Sequence, residues 1–280
     1  CIRDSMMSDV AFLCMDLRYR RRPDLAAVFL NRYLECTGDY PGLAVLAFYL
    51  VYRAVVRAKV AGVRYRQHGS PADAASIADH LALALQITQA AERPLLVICH
   101  GLSGSGKTWL SDQLSAALPA LRLRSDLVRK QQAGLAELQR SGSGLNEGLY
   151  SRDASEHVYR QLAEFARRGL AAGLNVIVDA TCLRRSQRDA FRDMTDAAGA
   201  GFVIAHCTAP RDRLEQRIRQ RASAGADASE ADLEVLDAQL AGQDVLAEDE
   251  LGYSLAIDTV GLEDFAAVAA RLRNRAQRKH

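Results

Sequence analysis

Residues Gly101 to Thr108 read Gly-Leu-Ser-Gly-Ser-Gly-Lys-Thr, set between an apolar run and a run with helical spacing. The run before them, Pro94-Leu95-Leu96-Val97-Ile98-Cys99, reads as a strand buried on both faces. After them, between Trp109 and Leu118, Leu110, Leu114, Ala117 and Leu118 recur at helical intervals. Strand, glycine loop and helix in this order constrain the fold more than any other feature. The glycines allow a tight turn, and the loop's backbone N–H groups then converge at the positive end of a helix. That arrangement, G-x-x-x-x-G-K-[ST], wraps phosphate oxygens. Gly101, Leu102, Ser103, Gly104, Ser105, Gly106, Lys107, Thr108 and Trp109 are therefore expected to bind a nucleoside triphosphate. Lys107 would reach the β- and γ-phosphates, and the Thr108 hydroxyl would hold Mg²⁺. ATP with Mg²⁺ is the expected cofactor pair, and GTP stays open.

The pattern changes at Glu92-Arg93-Pro94. Before it the spacing is helical: roughly Asp9 to Tyr33, Leu43 to Val63 and Ala72 to Ala91, broken by Thr37–Gly42 and Gly69-Ser70-Pro71. After it, short apolar strands at Leu95–Cys99, Leu121–Arg124, Asn175–Asp179, Phe202–Cys207 and Ser254–Ile257 alternate with helices, the last near Leu262–Arg273. Such alternation implies an α/β fold with a parallel sheet covered by helices on both faces. The expected division is a helical segment, 6–92, and a nucleotide-binding segment, 93–280.

Composition narrows the function classes. Net charge is +2 over 280 residues, and the basic clusters Arg18–Arg22 and Arg271–Lys279 are short and interrupted. This argues against a nucleic-acid or anionic-membrane partner. The longest apolar stretch, Leu43–Tyr52, is too short to span a bilayer. The six cysteines form no C-x-x-C pair and mostly lie in apolar runs, as buried free thiols of a cytoplasmic protein would. Cys1-Ile2-Arg3-Asp4-Ser5 resembles the translation of a transposase adapter used in sequencing libraries. Residues 1–5 are accordingly set apart from the fold, and the natural chain is expected to continue upstream of Met6 or Met7.

Four further residues are candidates for chemistry. Asp126 follows the second strand, where ligands of open parallel sheets bind, and could accept a proton from an attacking hydroxyl. Ser125 or Asp126 could alternatively cap the next helix. Asp179 ends the third strand, at the position that serves Mg²⁺ or its water in phosphate-loop enzymes. Arg217 and Arg221 lie four apart on one helix face, able to clamp transferring phosphoryl groups, and the small-residue stretch Ala222–Ser229 suits a lid. Arg184, Arg185 and Arg188 are weaker candidates for substrate contact, and His100 is expected to pack rather than react.

With Gly101–Thr108, Ser125-Asp126 with Arg129-Lys130, Val178-Asp179-Ala180-Thr181, and Arg217 with Arg221 in place, residues 94–280 resemble small phosphate-loop kinases. That group includes gluconate kinase, chloramphenicol phosphotransferase, zeta toxin and the polynucleotide 5′-kinase domain. The resemblance implies a P-loop kinase fold, makes Asp126 the base for an acceptor hydroxyl, and makes Arg217 and Arg221 lid arginines. Ser8–Leu13, Phe29–Leu34 with Thr37–Tyr40, and Tyr52–Lys59 resemble the C-terminal helical end of an aminoglycoside-phosphotransferase-like domain. The whole chain resembles the latter half of bacterial proteins described as bifunctional aminoglycoside phosphotransferase and ATP-binding proteins. This implies an all-α remnant without kinase chemistry of its own, partnered in the full-length protein by an upstream domain. The expected activity is phosphoryl transfer to a small-molecule hydroxyl through Lys107, Asp126, Arg217 and Arg221, with Thr108 and Asp179 at the metal. Three alternatives remain: an ATPase or nucleotide-gated module without acceptor, a polynucleotide 5′-kinase, and a zeta-toxin-like nucleotide-sugar kinase.

Overall fold

A computed structural model describes residues 2–89, 93–139, 151–224, 229, 231–262 and 264–277. Strands β1 (Leu95–His100), β2 (Ala120–Arg124), β3 (Asn175–Asp179), β4 (Gly201–Thr208) and β5 (Ser254–Asp258) form one parallel sheet, in the order β2-β3-β1-β4-β5. Every residue of the central strand β1 is buried, as the apolar run through Cys99 anticipated, and His100 at its end is buried with them. Strand periodicity then splits the core in two. Leu96, Ile98, Leu121, Leu123, Val176 and Val178 face one layer, while Leu95, Val97, Cys99, Ile177 and Val203 face the other. Helices α5 (Lys107–Ala117) and α12 (Phe265–Gln277) cover the second face, and α7 (Arg152–Ala171) covers the first.

The chain leaves β1 toward β2 and leaves β3 toward β4, in opposite directions across the sheet. The crevice between these connections is where ligands of such sheets sit. Gly101 and Asp179 mark its two sides.

The helical segment comprises α1 (Ile2–Tyr19), α2 (Pro23–Thr37), α3 (Leu43–His68) and α4 (Pro71–Thr88), with a short 3₁₀ turn at Tyr40–Gly42. Helix α3 runs five residues past the expected Val63 and ends where Gly69 adopts φ +64 and donates its N–H to the Tyr65 carbonyl. Met7, Met15, Leu30, Leu34 and Leu46 join the same apolar cluster as Leu96, Leu121 and Val176. Tyr40 stacks on Phe165 of α7 at 3.9 Å between ring centroids. The compositional break at Glu92-Arg93-Pro94 is therefore not a break in packing.

The single helix expected between β2 and β3 resolves into α6 (Ser125–Gln132) and α7. Between β4 and β5 lie α8's successors α9 (Arg211–Ala224), α10 (Leu233–Gly242) and α11 (Glu248–Leu251), α8 itself (Arg185–Ala197) linking β3 to β4. No described helix is long and apolar enough to cross a membrane. The five described cysteines are free thiols; Cys14, Cys99, Cys182 and Cys207 are buried as expected, whereas Cys36 on α2 is exposed.

Gly169 sets how closely α7 approaches the sheet. A Cβ there would stand 2.8 Å from Leu121 and 2.9 Å from Val176 side-chain carbons, both of them buried. Gly169→Val should lower the unfolding free energy by about 1–3 kcal/mol through overpacking. Urea denaturation would measure it, and an unchanged midpoint would show that the layer yields.

Candidate active site

The loop after β1 turns through three glycines with positive φ: Gly101 at +146, Gly104 at +80 and Gly106 at +85. Side chains would collide here as well as strain: a Cβ on Gly104 would lie 2.6 Å from the Leu214 carbonyl of α9. Gly106 then opens α5, accepting the Leu110 N–H at 2.9 Å. The loop thus presents its N–H groups at the start of an eleven-residue helix.

Lys107 is 9 % exposed, and its ammonium donates to the Leu102 carbonyl at 2.7 Å, bridging the loop from inside. Burial pushes its pKa down, opposed by the nearby Cys207, Asp179, Cys99 and Asp126. Thr108 donates its hydroxyl to Asp179 Oδ1 at 3.3 Å. Asp179 is 5 % exposed; burial pushes its carboxyl pKa up, opposed chiefly by Arg124, whose Nε lies 4.0 Å from Oδ2. The residues expected to serve phosphate and metal therefore converge. A hydroxyl and one carboxylate suit Mg²⁺ that keeps most of its ligands from water and phosphate. Among the described residues no cluster of three His, Cys, Asp or Glu could hold a metal ion.

Asp126 sits in the first turn of α6, half-buried, and contributes to the electrostatics of both Lys107 and Asp179. The capping expectation is corrected: Arg124 occupies the N-cap, without a side-chain cap bond, and Ser125 and Asp126 are helical. The Asp126 carboxylate is thus not committed to closing the helix.

Arg217 reaches the phosphate loop, donating to the Gly104 carbonyl at 3.2 Å and to Thr259 Oγ1 at 2.9 Å. Arg221 points away along α9 to the Ala231 carbonyl at 2.6 Å, holding the chain's return rather than the loop. Residues 225–228 of the expected lid lie outside the described residues. The Trp109 ring is half exposed and packs edge-on against Phe265, with centroids 5.1 Å apart.

Arg188 is not a substrate contact. It is 1 % exposed and makes two bonds to Glu250, at 2.6 and 2.8 Å, with further bonds to the carbonyls of Cys182, Leu183 and Asp244. Arg185 pairs with Asp249 and Arg184 with Asp244. Cys182 itself has φ +47, a strained value for a side-chain-bearing residue. Its N–H donates to the Tyr159 hydroxyl at 3.0 Å, and His100 Nδ1 bonds its carbonyl at 3.1 Å. These contacts fasten the loop that begins at Asp179.

Two loop contacts had no signal in the sequence. Gln239 of α10 accepts the Ser103 N–H at 2.8 Å, and buried Thr259 donates to the Ser105 carbonyl at 2.9 Å. A glutamine in a largely apolar helix and a threonine after a strand are ordinary residues until folding brings them to the loop.

Fold and site together define an α/β protein with a phosphate-binding loop. The chain belongs to the AAA-domain family, whose family model matches residues 96–246, from β1 to just before α11. Uncharacterized proteins from Mycobacterium bovis and Mycobacterium tuberculosis are 34 % identical over 223 residues, 80 % of this chain and 44 % of each relative. The chain therefore spans less than half the length of these curated relatives. A match of that extent also runs back into the helical segment. Among solved structures, a kinase described as putative from Chloroflexus aurantiacus matches with TM-score 0.51 at 24 % identity, covering 66 % of this chain and 100 % of that one. A sugar kinase from Janibacter sp. matches with TM-score 0.49 at 22 % identity, covering 66 % and 96 %. The Mycobacterium tuberculosis APS kinase, in complex with AMPPNP and APS, matches with TM-score 0.47 at 20 % identity, covering 65 % and 97 %. The family model begins at residue 96, so the likeness of the helical segment to aminoglycoside phosphotransferases rests on its sequence stretches alone.

Two outcomes follow from the buried groups. Arg188→Ala leaves Glu250 buried without its cationic partner, keeping only the Ala247 N–H, and should cost about 3–5 kcal/mol in denaturant unfolding. His100 has its pKa lowered to about 4 by burial, then by His206 and Arg188. Below the ordinary histidine pKa of about 6.5 the unfolded chain binds a proton that the folded chain refuses, so stability rises with pH across that window. Unfolding free energy should fall from pH 6.5 toward pH 4, and His100→Gln should flatten the slope by up to about 1.4 kcal/mol per pH unit.

Proposed function

We propose that the chain is an ATP- and Mg²⁺-dependent phosphotransferase that acts on a hydroxyl of a small molecule. The observation that carries this reading is the grouping of Lys107, Thr108, Asp179 and Asp126 around one crevice, with the Asp126 carboxylate left out of helix capping. When bound, MgATP supplies the phosphoryl group and part of the charge balance at its oxygens. The loop N–H groups and the α5 N-terminus bind and orient the phosphates. Lys107 would leave the Leu102 carbonyl to neutralise β- and γ-oxygens, a short movement for a flexible side chain. Thr108 and Asp179 would hold the metal. Asp126 would accept the proton of the acceptor hydroxyl as its oxygen attacks. Arg217 would sense the loop through Gly104 and Thr259, and with Arg221 would close over the phosphates as α9 moves.

On this reading residues 93–280 carry the chemistry and 6–92 support them. The near-neutral charge favours a small acceptor over a polynucleotide.

The test is transfer of label from γ-³²P-ATP to a fractionated bacterial metabolite extract, wild type beside Asp126→Asn. A labelled small molecule should appear with wild type and form at least about 100-fold more slowly with the variant. Free phosphate alone, released equally by both proteins, would refute the base assignment and favour an ATPase.

A further inference from the structure

The edge strand β2 leads directly into Asp126, and its open side is met by a helix of the amino-terminal segment. A sheet edge presents unpaired N–H and C=O groups, which must find partners where they are buried. Asn31 on α2, 6 % exposed, supplies both kinds of partner at once. Its Nδ2 donates to the Ala120 carbonyl at 2.9 Å, and its Oδ1 accepts the Arg122 N–H at 2.8 Å. One amide side chain thus stands in for a neighbouring strand.

The grip continues one turn along α2. Glu35 receives the Arg122 guanidinium at 3.2 Å, with side chains 8 % and 11 % exposed. Its main-chain carbonyl accepts from Gln131 Nε2 at 2.7 Å, near the end of α6. Arg32 lies 3.2 Å from Glu137, whose other oxygen takes Arg124 at 3.1 Å, and Arg124 faces Asp179. Helix α2 therefore holds β2 through two of its residues and α6 by its last turn, with Asp126 between the two holds.

We propose that α2 is a working part of the phosphotransferase site, with Asn31 and Glu35 as positioning residues that set where Asp126 stands relative to the phosphate loop. The proposal rests on Asp126 being the base. Misplacing a reacting group by a fraction of an ångström removes much of the advantage of orientation. The phosphate loop, at the centre of the sheet, makes none of these contacts and should bind nucleotide without them.

The experiment uses the full chain as wild type, Asn31→Leu and Glu35→Gln, assayed well below each protein's unfolding temperature. Label transfer from γ-³²P-ATP to the metabolite extract gives the rate and the KM for ATP. Trp109, the sole tryptophan, lies beside Thr108, so its fluorescence is the probe used to titrate ATP binding. Asn31→Leu should lower the maximal transfer rate about tenfold, with KM for ATP and the Trp109 titration within about twofold of wild type. Glu35→Gln, which keeps a neutral bond to Arg122, should give a smaller loss of the same kind. Amide exchange should quicken at residues 120–130 and stay unchanged at 101–108.

Transfer as fast as wild type in Asn31→Leu, or a loss of rate matched by an equal loss of ATP binding, would overturn the positioning role alone. A wild type that binds ATP and transfers no label would overturn the base reading, and the positioning role with it. If Asn31→Leu does not fold, Glu35→Gln decides by the same criteria.

Discussion

Lys107 and Asp179 are buried together at the carboxyl end of an all-parallel sheet, and the site is organised around that shared burial. Each charge is costly to remove from water, and the attraction between them and their neighbours returns part of the cost only at close range. Burial pulls the two pKa values in opposite directions, toward neutral forms, while Arg124 opposes the effect on Asp179, and Asp179 and Asp126 are among the groups that oppose it on Lys107. Such a pair works as a preorganised electrostatic cradle only if the loops that carry it are held in place.

The holding is done by residues that need not touch a ligand. Arg217 and Thr259 fasten the phosphate loop from α9 and from the chain after β5. On the Asp179 side, Cys182 is kept in a strained conformation by donating its N–H to the Tyr159 hydroxyl and by bonds of its carbonyl to His100 and Arg188. Arg188 can be buried because Glu250 meets it with both oxygens and three backbone carbonyls share the N–H groups of its Nη1, so the ion pair also ties the β3 loop to the approach of β5.

The amino-terminal helices belong to the same construction. Their apolar faces complete one layer of the core, and α2 substitutes for a sixth strand at the β2 edge. The edge strand that leads into Asp126 would otherwise be the least constrained part of the sheet.

The sequence by itself determined the order of elements, the phosphate loop and the alternation that makes the sheet parallel, because these depend on local periodicity and on glycine's freedom of φ. Asn175–Asp179 has the strand bounds its apolar run implied, and Thr108 and Asp179 could be named for one site, the first from the glycine-loop motif and the second from its place at a strand end. Tertiary structure alone decided the rest. It turned Arg188 from a candidate ligand contact into a buried tie, left Asp126 free of the N-cap, and brought Gln239 and Thr259 to the loop from far along the chain. It also joined the two compositional halves across the β2 edge. A side chain's partner at long separation depends on the packing of whole layers, and no spacing within a segment encodes it.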